Sequence, residues 1–423
     1  MLKLKKIQKV FWGIFLVYAF TFSWHLTFSS VLLLLMGITW ITAFWIEGQN
    51  TFSNFYKSRN AWILVIPYLI GVLGLTYTRS VDNGVFLLGV AFCMLIQPII
   101  FSSSNWQHLE KKHIWYVLLC FVAGSFIAAL YCLIYAGVNY LGGSSLGLDE
   151  FYYIHLMKLP LSPGAFGNYM NVSIVILLLY ATNELVWVGK REMKYRILAI
   201  VLLLFFVCFL FLLQAKGSIV ALIIAFGVLF LYKMTKYFSK NIVLGIMALS
   251  IFGGALFIQF GGLNLLGSRF TEIPKVINTI SKTSETSTSL RLSAIHGSVD
   301  IIKRNPLLGV GTGAVKQELE EFYEKEGYVG AKKHKTDSHN QFLRTFAKNG
   351  VVGFIALIFM ILLPIVIGIK RNDPLLLLVS VTQLVMALTG DILDNQPGVV
   401  FHSFVICFLI YVANSKQFIA KGQ

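Results

Sequence analysis

Apolar blocks recur along this chain at lengths that a lipid bilayer dictates. They lie near residues 10–24, 26–46, 61–77, 84–101, 114–137, 165–188, 195–213, 217–232, 241–262, 350–369, 375–390 and 397–414. Roughly 20 apolar residues in a helix cross a hydrocarbon layer about 30 Å thick. A soluble domain of 423 residues could not bury this much apolar surface, with 57% of residues hydrophobic, 13% charged and a mean hydropathy of +0.74. Backbone groups in lipid must be satisfied within each segment, so the expected class is an all-α polytopic membrane protein of about twelve transmembrane helices. Nine spans fall in 1–262, a long polar loop in 263–349, and three spans with a short tail in 350–423. The blocks at 10–24 and 375–390 are short for a perpendicular crossing, and the division of 195–232 depends on the turn Gln214-Ala215-Lys216-Gly217.

Charge placement gives the expected orientation, because short cytoplasmic loops collect Lys and Arg. With the N-terminus inside, nineteen basic residues face the cytoplasm, while the short outer connections keep only Arg79, Lys158 and Lys216. The remaining thirteen of 35 lie in 263–349, a segment too long for the rule. Both termini are then cytoplasmic and the long loop lies outside. The net charge of +16 reads as a topology signal that also attracts anionic membrane lipids, and nucleic-acid binding is not expected. The five cysteines fall in predicted spans without metal-ligand spacing and read as packing residues. No small-residue cleavage site follows the first block, so it reads as a retained span.

Polar chemistry concentrates in the long loop. Residues 281–289 read Ser-Lys-Thr-Ser-Glu-Thr-Ser-Thr-Ser, a run that cannot bury a core and is expected to be a mobile hinge or lid. Next, Leu292, Ile295, Val299 and Ile302 recur at helical spacing, as in a helix lying on the membrane surface, with Arg291 near its start. Asn305-Pro306-Leu307-Leu308-Gly309-Val310-Gly311-Thr312-Gly313 stops that helix and reads as a tight turn, since GxGxG is not a dinucleotide fingerprint. The Glu-rich stretch 318–326 reads as a solvated helix face.

Thr336-Asp337-Ser338-His339-Asn340-Gln341 closes the loop. Ser338 and Gln341 have capping-box spacing, which would start a helix at His339. The positive helix end would disfavour an imidazolium and leave His339 a neutral base at working pH; a surface histidine is the plain alternative. Lys216, in an outer turn at the membrane boundary, needs snorkelling or pairing. Asp391 and Asp394, in the last outer turn, are candidates to orient His339 or a cation, or are simple loop carboxylates.

Arg291, Asn305-Pro306-Leu307-Leu308-Gly309-Val310-Gly311, Ser338-His339-Asn340-Gln341-Phe342-Leu343 and Gly350-Val351-Val352-Gly353 together resemble the O-antigen ligase and polymerase family of membrane glycosyltransferases, strongly from about residue 195 onward. The resemblance implies a C-type glycosyltransferase architecture with one large periplasmic loop between helices 9 and 10, in a bacterial inner membrane. It implies an essential histidine and arginine at His339 and Arg291. The family's second arginine would fall at Lys216, where a lysine offers a point charge rather than a planar fork. The implied donor is a glycan on undecaprenyl diphosphate, and the acceptor lipid A-core or a growing glycan. His339 would act as base and Arg291 with Lys216 would hold the diphosphate, in an inverting, metal-independent reaction without a cofactor. Ser338, Asn340, Gln341 and Asp391 would support these groups. Ligase is the preferred expectation, polymerase of O-antigen or exopolysaccharide the alternative, and a lipid-linked glycan transporter or flippase the reading from another class. Near absence of charge within the spans weighs against the transporter.

Overall fold

A computed structural model describes residues 2–24, 26–47, 50–104, 110–185, 192–234 and 282–413. Every regular element among them is helical. Along the chain these are α1 (Leu2–Thr21), α2 (Leu26–Glu47), α3 (Arg59–Leu73), α4 (Val81–Ala91), α5 (Cys93–Ser103), α6 (Lys111–Leu141), α7 (Pro163–Ala181), α8 (Met193–Leu213) and α9 (Lys216–Met234). The loop supplies α10 (Ser287–Arg304) and α11 (Val315–Glu326), and α12 (Gln341–Arg371), α13 (Pro374–Thr389) and α14 (Gln396–Cys407) follow. Eight helical stretches are long and apolar enough to cross a membrane, and Lys9–Thr21, Phe28–Ala43 and Pro374–Thr389 are shorter apolar helices. The protein is therefore an all-helical, polytopic membrane protein. These stretches coincide with eleven of the twelve apolar blocks; the ninth, 241–262, and loop residues 263–281 lie outside the described residues.

Helices α7, α13 and α14 form the centre, buried on nearly all sides, whereas α8 presents Ile197, Leu198, Val201 and Leu204 outward. That difference is what lipid permits, since outward apolar side chains meet hydrocarbon rather than water. Polar side chains tie the centre together. Asn168 of α7 and Gln383 of α13 exchange two amide hydrogen bonds, at 3.2 and 2.9 Å, and Asn171 donates to the Ser218 carbonyl at 2.8 Å.

The loops gather at two ends. At one end, Ser58 meets Tyr411, Lys233 pairs with Glu184, and the Arg371 guanidinium donates to the Ile410 carbonyl. At the other, turns 74–80, 142–162, 214–217 and 389–395 converge on the loop from residue 282 onward. The segments that alternate in sequence thus segregate in space.

The loop folds onto the helices. Helix α10 buries Ser289, Ser293, Ala294, Gly297, Ser298 and Ile301, so its small-residue face packs inward. Leu292, Ile295, Val299 and Ile302 are only half-buried, at the edge of that packed face. The described part of the expected hinge is also tied down. Thr286 caps α10, the Lys282 ammonium donates to the Glu326 carbonyl, and Glu285 holds both Lys333 and His334. Ile301, Val315, Leu319, Tyr323, Tyr328, Ala331 and Ala347 form a small core under α10 and α11. Glu318 is buried beside it and bridges Arg79 and Arg304, so only its helix neighbours form the expected solvated face.

The Asn305–Gly313 turn is a wedge. Val310 and Gly311 donate backbone bonds to the Ala347 and Lys348 carbonyls, and Thr312 donates to Gly74. It is seated at a break in α12, where Gly350 adopts φ 62° and ψ −161°. Any side chain at Gly350 would put its Cβ 2.0 Å from the Leu307 carbonyl oxygen, so the break requires glycine. Residues 341–349 consequently form a separate segment, tilted from the apolar part that follows.

Candidate active site

A cavity of about 410 Å³ opens where the turns of the loop-bearing end meet, and Lys216, Arg291, His339 and Asp391 all line it. These residues arrive on four different segments. Lys216 opens α9 after Gln214 and Ala215, Gln214 ending α8 in a left-handed conformation. That two-residue reversal confirms the division of 195–232 into two helices. Arg291 lies in the first turns of α10, and His339 precedes α12.

His339 is not placed by a capping box. Asn340 is the N-cap of α12, its side-chain oxygen accepting from the Leu343 N–H at 3.0 Å. Ser338 is buried below, accepting a 3.2 Å hydrogen bond from Ser298. Gln341 faces the turn at 389–395: its amide donates to Asp394 at 2.8 Å and to Thr345, and its carbonyl accepts from the Leu393 N–H. Capping failed as a guide because Asn340 competes for the role and Gln341 finds a stronger, charged partner.

Asp391 fixes the backbone of His339 rather than its ring. Its two oxygens accept from the N–H groups of His339, at 3.0 Å, and Asn340, at 2.9 Å. Both carboxylates are held in the protein, Asp394 accepting from Lys348 at 2.7 Å with the Arg344 Nε 3.2 Å away. Arg344, buried and also lining the cavity, pairs with Asp337 as well. Neither Arg344 nor Asp337 stands out in sequence. The available signal was Arg344 and Lys348 one turn apart on α12, matching Asp391 and Asp394 in the turn below.

Electrostatics follow from this packing. The His339 ring reaches solvent through the cavity, yet protein surrounds most of it, and that burial lowers its pKa below the ordinary value; Arg291 and Arg344 lower it further while Asp337 opposes them. The sequence pointed to the same direction by way of a positive helix end; here burial and the two arginines are its causes. Burial raises Asp391 to about 6 against the pull of Arg344. Burial also opposes ionisation of Asp394, but Lys348 and Arg344 overcome it and hold the group well below the usual carboxylate range. Among the described residues no group of three or more His, Cys, Asp or Glu is arranged to hold a metal ion. The three aspartates around Arg344 are engaged by cationic side chains and amides.

Fold and site together define a polytopic membrane protein with a cationic, histidine-bearing cavity at one end of its helix bundle. Residues 198–358 match the family model described as O-antigen ligase, which bears out the family resemblance read in the sequence. That stretch contains Lys216, Arg291, His339 and Arg344. The chain is also 24% identical over 213 residues to an uncharacterized protein of Haemophilus influenzae, covering 46% of this chain and 52% of that protein. The chain thus spans about half the length of this relative.

Proposed function

We propose that the protein is an O-antigen ligase, transferring a glycan from undecaprenyl diphosphate to a lipid A-core acceptor at the outer face of the bacterial inner membrane. The observation that carries this reading is the convergence of Lys216, Arg291 and His339 on one cavity from segments up to 123 positions apart. A cationic wall beside a neutral base is what this reaction needs. His339 takes the acceptor hydroxyl proton as that oxygen bonds to the anomeric carbon. The bond from that carbon to the diphosphate breaks, inverting the centre. The electron pair leaves with the diphosphate, where Arg291 and Lys216 stabilise the developing charge. Arg344 turns toward its aspartates and sets the site's shape. An outer location offers no ATP, which fits a donor already activated as a diphosphate ester.

The test is the lipopolysaccharide profile of a host carrying His339→Ala, read beside its lipid-linked glycan pool. Bare core with long glycan accumulating on the carrier supports ligase. Core capped by a single repeat would replace it with polymerase, and an unchanged ladder would remove His339 from catalysis.

A further inference from the structure

Six residues other than glycine adopt a left-handed backbone among the described residues: Tyr153, Asn183, Gln214, Lys335, His339 and Asn372. Four of them have an ordinary reason. Gln214 and Asn372 are helix C-caps, and Asn183 and Lys335 directly follow the C-caps Thr182 and His334. Tyr153 and His339 close no helix. Tyr153, at φ 51°, follows the extended residue Tyr152 and opens the short helix Tyr153–Leu156, and both exceptions line the same cavity. A bulky aromatic residue in this region is an outlier that persists only where its surroundings impose it.

The surroundings do so here. Buried Glu150 accepts from Ser144 at 2.7 Å, Lys158 at 3.1 Å and Asn139 at 3.3 Å, closing a knot around the segment that carries Tyr153. Leu156, Met157 and Leu161 are buried beneath it. The knot engages the loop's lysine, so what this loop brings to the cavity is an aromatic ring. Tyr169 also lines the cavity but is 1% exposed, its hydroxyl donating to the Pro397 carbonyl. Tyr153 is half-buried and, beside the His339 imidazole, is the other accessible ring among the described lining residues.

We propose that Tyr153 is the sugar platform of this cavity, a specificity-determining residue whose ring packs against the apolar C–H face of a pyranose attached to the diphosphate carrier. This rests on the reading of the cavity as a lipid-linked glycan site. A pyranose has an apolar face ringed by hydroxyls, and a tyrosine offers a matching apolar face with a polar tip. Cations recognise the diphosphate alone, so discrimination between a bare and a sugar-bearing carrier falls to an uncharged surface.

The test compares binding of undecaprenyl diphosphate with that of the same carrier bearing N-acetylglucosamine, galactose or glucose, using full-length protein in detergent. Wild type is expected to bind at least one sugar-bearing carrier about five- to tenfold more tightly than the bare carrier. Tyr153→Ala should lose that preference while keeping its bare-carrier affinity, which also reports an intact fold. Tyr153→Phe should retain the preference, and Tyr153→Gly, which relieves the backbone, should lose it while raising the thermal midpoint. Tyr152→Ala, an exposed neighbour outside the cavity lining, should change nothing. A preference surviving in Tyr153→Ala, or absent from wild type, overturns the proposal alone. Failure of wild type to bind the bare carrier overturns the functional reading beneath it.

Discussion

Arg344 organises the site although it belongs to no motif. Its guanidinium is buried among Asp337, Asp391 and Asp394, and its removal would leave buried Asp391 without its cationic partner while Asp394 keeps Lys348. Breaking such a network costs about 3–5 kcal/mol, so Arg344→Ala should sharply lower the thermal midpoint in detergent. Arg291→Ala should behave differently, reducing the transfer rate about 10²- to 10³-fold with little change in the midpoint. A proton-accepting His339 works only when neutral, so the rate should rise with pH through its pKa, which burial, Arg291 and Arg344 place below the ordinary 6.5. Residual activity of Arg291→Gln should therefore show its acid limb at higher pH than wild type. An unmoved limb would show that His339 does not set it. Asp391 adds an opposite signature in stability. Its folded pKa of about 6 exceeds the ordinary 3.8, so its contribution is fully present below about pH 4 and is lost as pH rises through 6. Asp391→Asn should abolish that slope, as denaturation at pH 4 and pH 7 would show. His339 and Arg291 were legible because their polarity stands out beside apolar sequence. Arg344 was not, because its partners Asp391 and Asp394 are brought to it only by tertiary structure.

At the scale of elements, the break in α12 is what joins loop to bundle. Helix α12 carries Arg344 and Lys348 on its first segment and an apolar stretch long enough to cross a membrane on its second, and Gly350 allows the two to diverge. Gly350→Ala meets both positive φ and the Leu307 carbonyl, so a loss of at least about 2 kcal/mol is expected. Gly227→Ala in α9, where an added methyl group would have no atom within 4 Å, is the neutral control, and thermal unfolding of the two variants separates the cases. The apolar blocks announced their helices because length and hydropathy are local properties. The break was invisible for the opposite reason: Gly350-Val351-Val352-Gly353 reads as the start of a span, and only the docked wedge imposes a left-handed residue there. On α10 the small residues pack inward while the larger apolar ones sit at the edge, a division that spacing alone does not reveal.

Across the whole molecule, segregation of alternate loops to two ends agrees with the charge asymmetry of the sequence. The end bearing the cavity is the end that the basic residues assign to the outside. In a cysteine-free background, Gln317→Cys on α11 should react with a membrane-impermeant maleimide on intact cells, while Glu192→Cys at the start of α8 should react only after lysis. The reverse pattern would place the cavity in the cytoplasm, away from any outward-flipped donor. The central claim is that this cavity performs glycosyl transfer with His339 as base. Its most direct test is transfer by purified protein in detergent, without any ion gradient, from undecaprenyl-diphosphate-linked glycan to lipid A-core, comparing wild type with His339→Ala. The account predicts measurable transfer by wild type and a fall of about 10²- to 10³-fold in a variant that still binds the carrier. Equal rates in the two proteins, or no transfer by folded wild type, would contradict it.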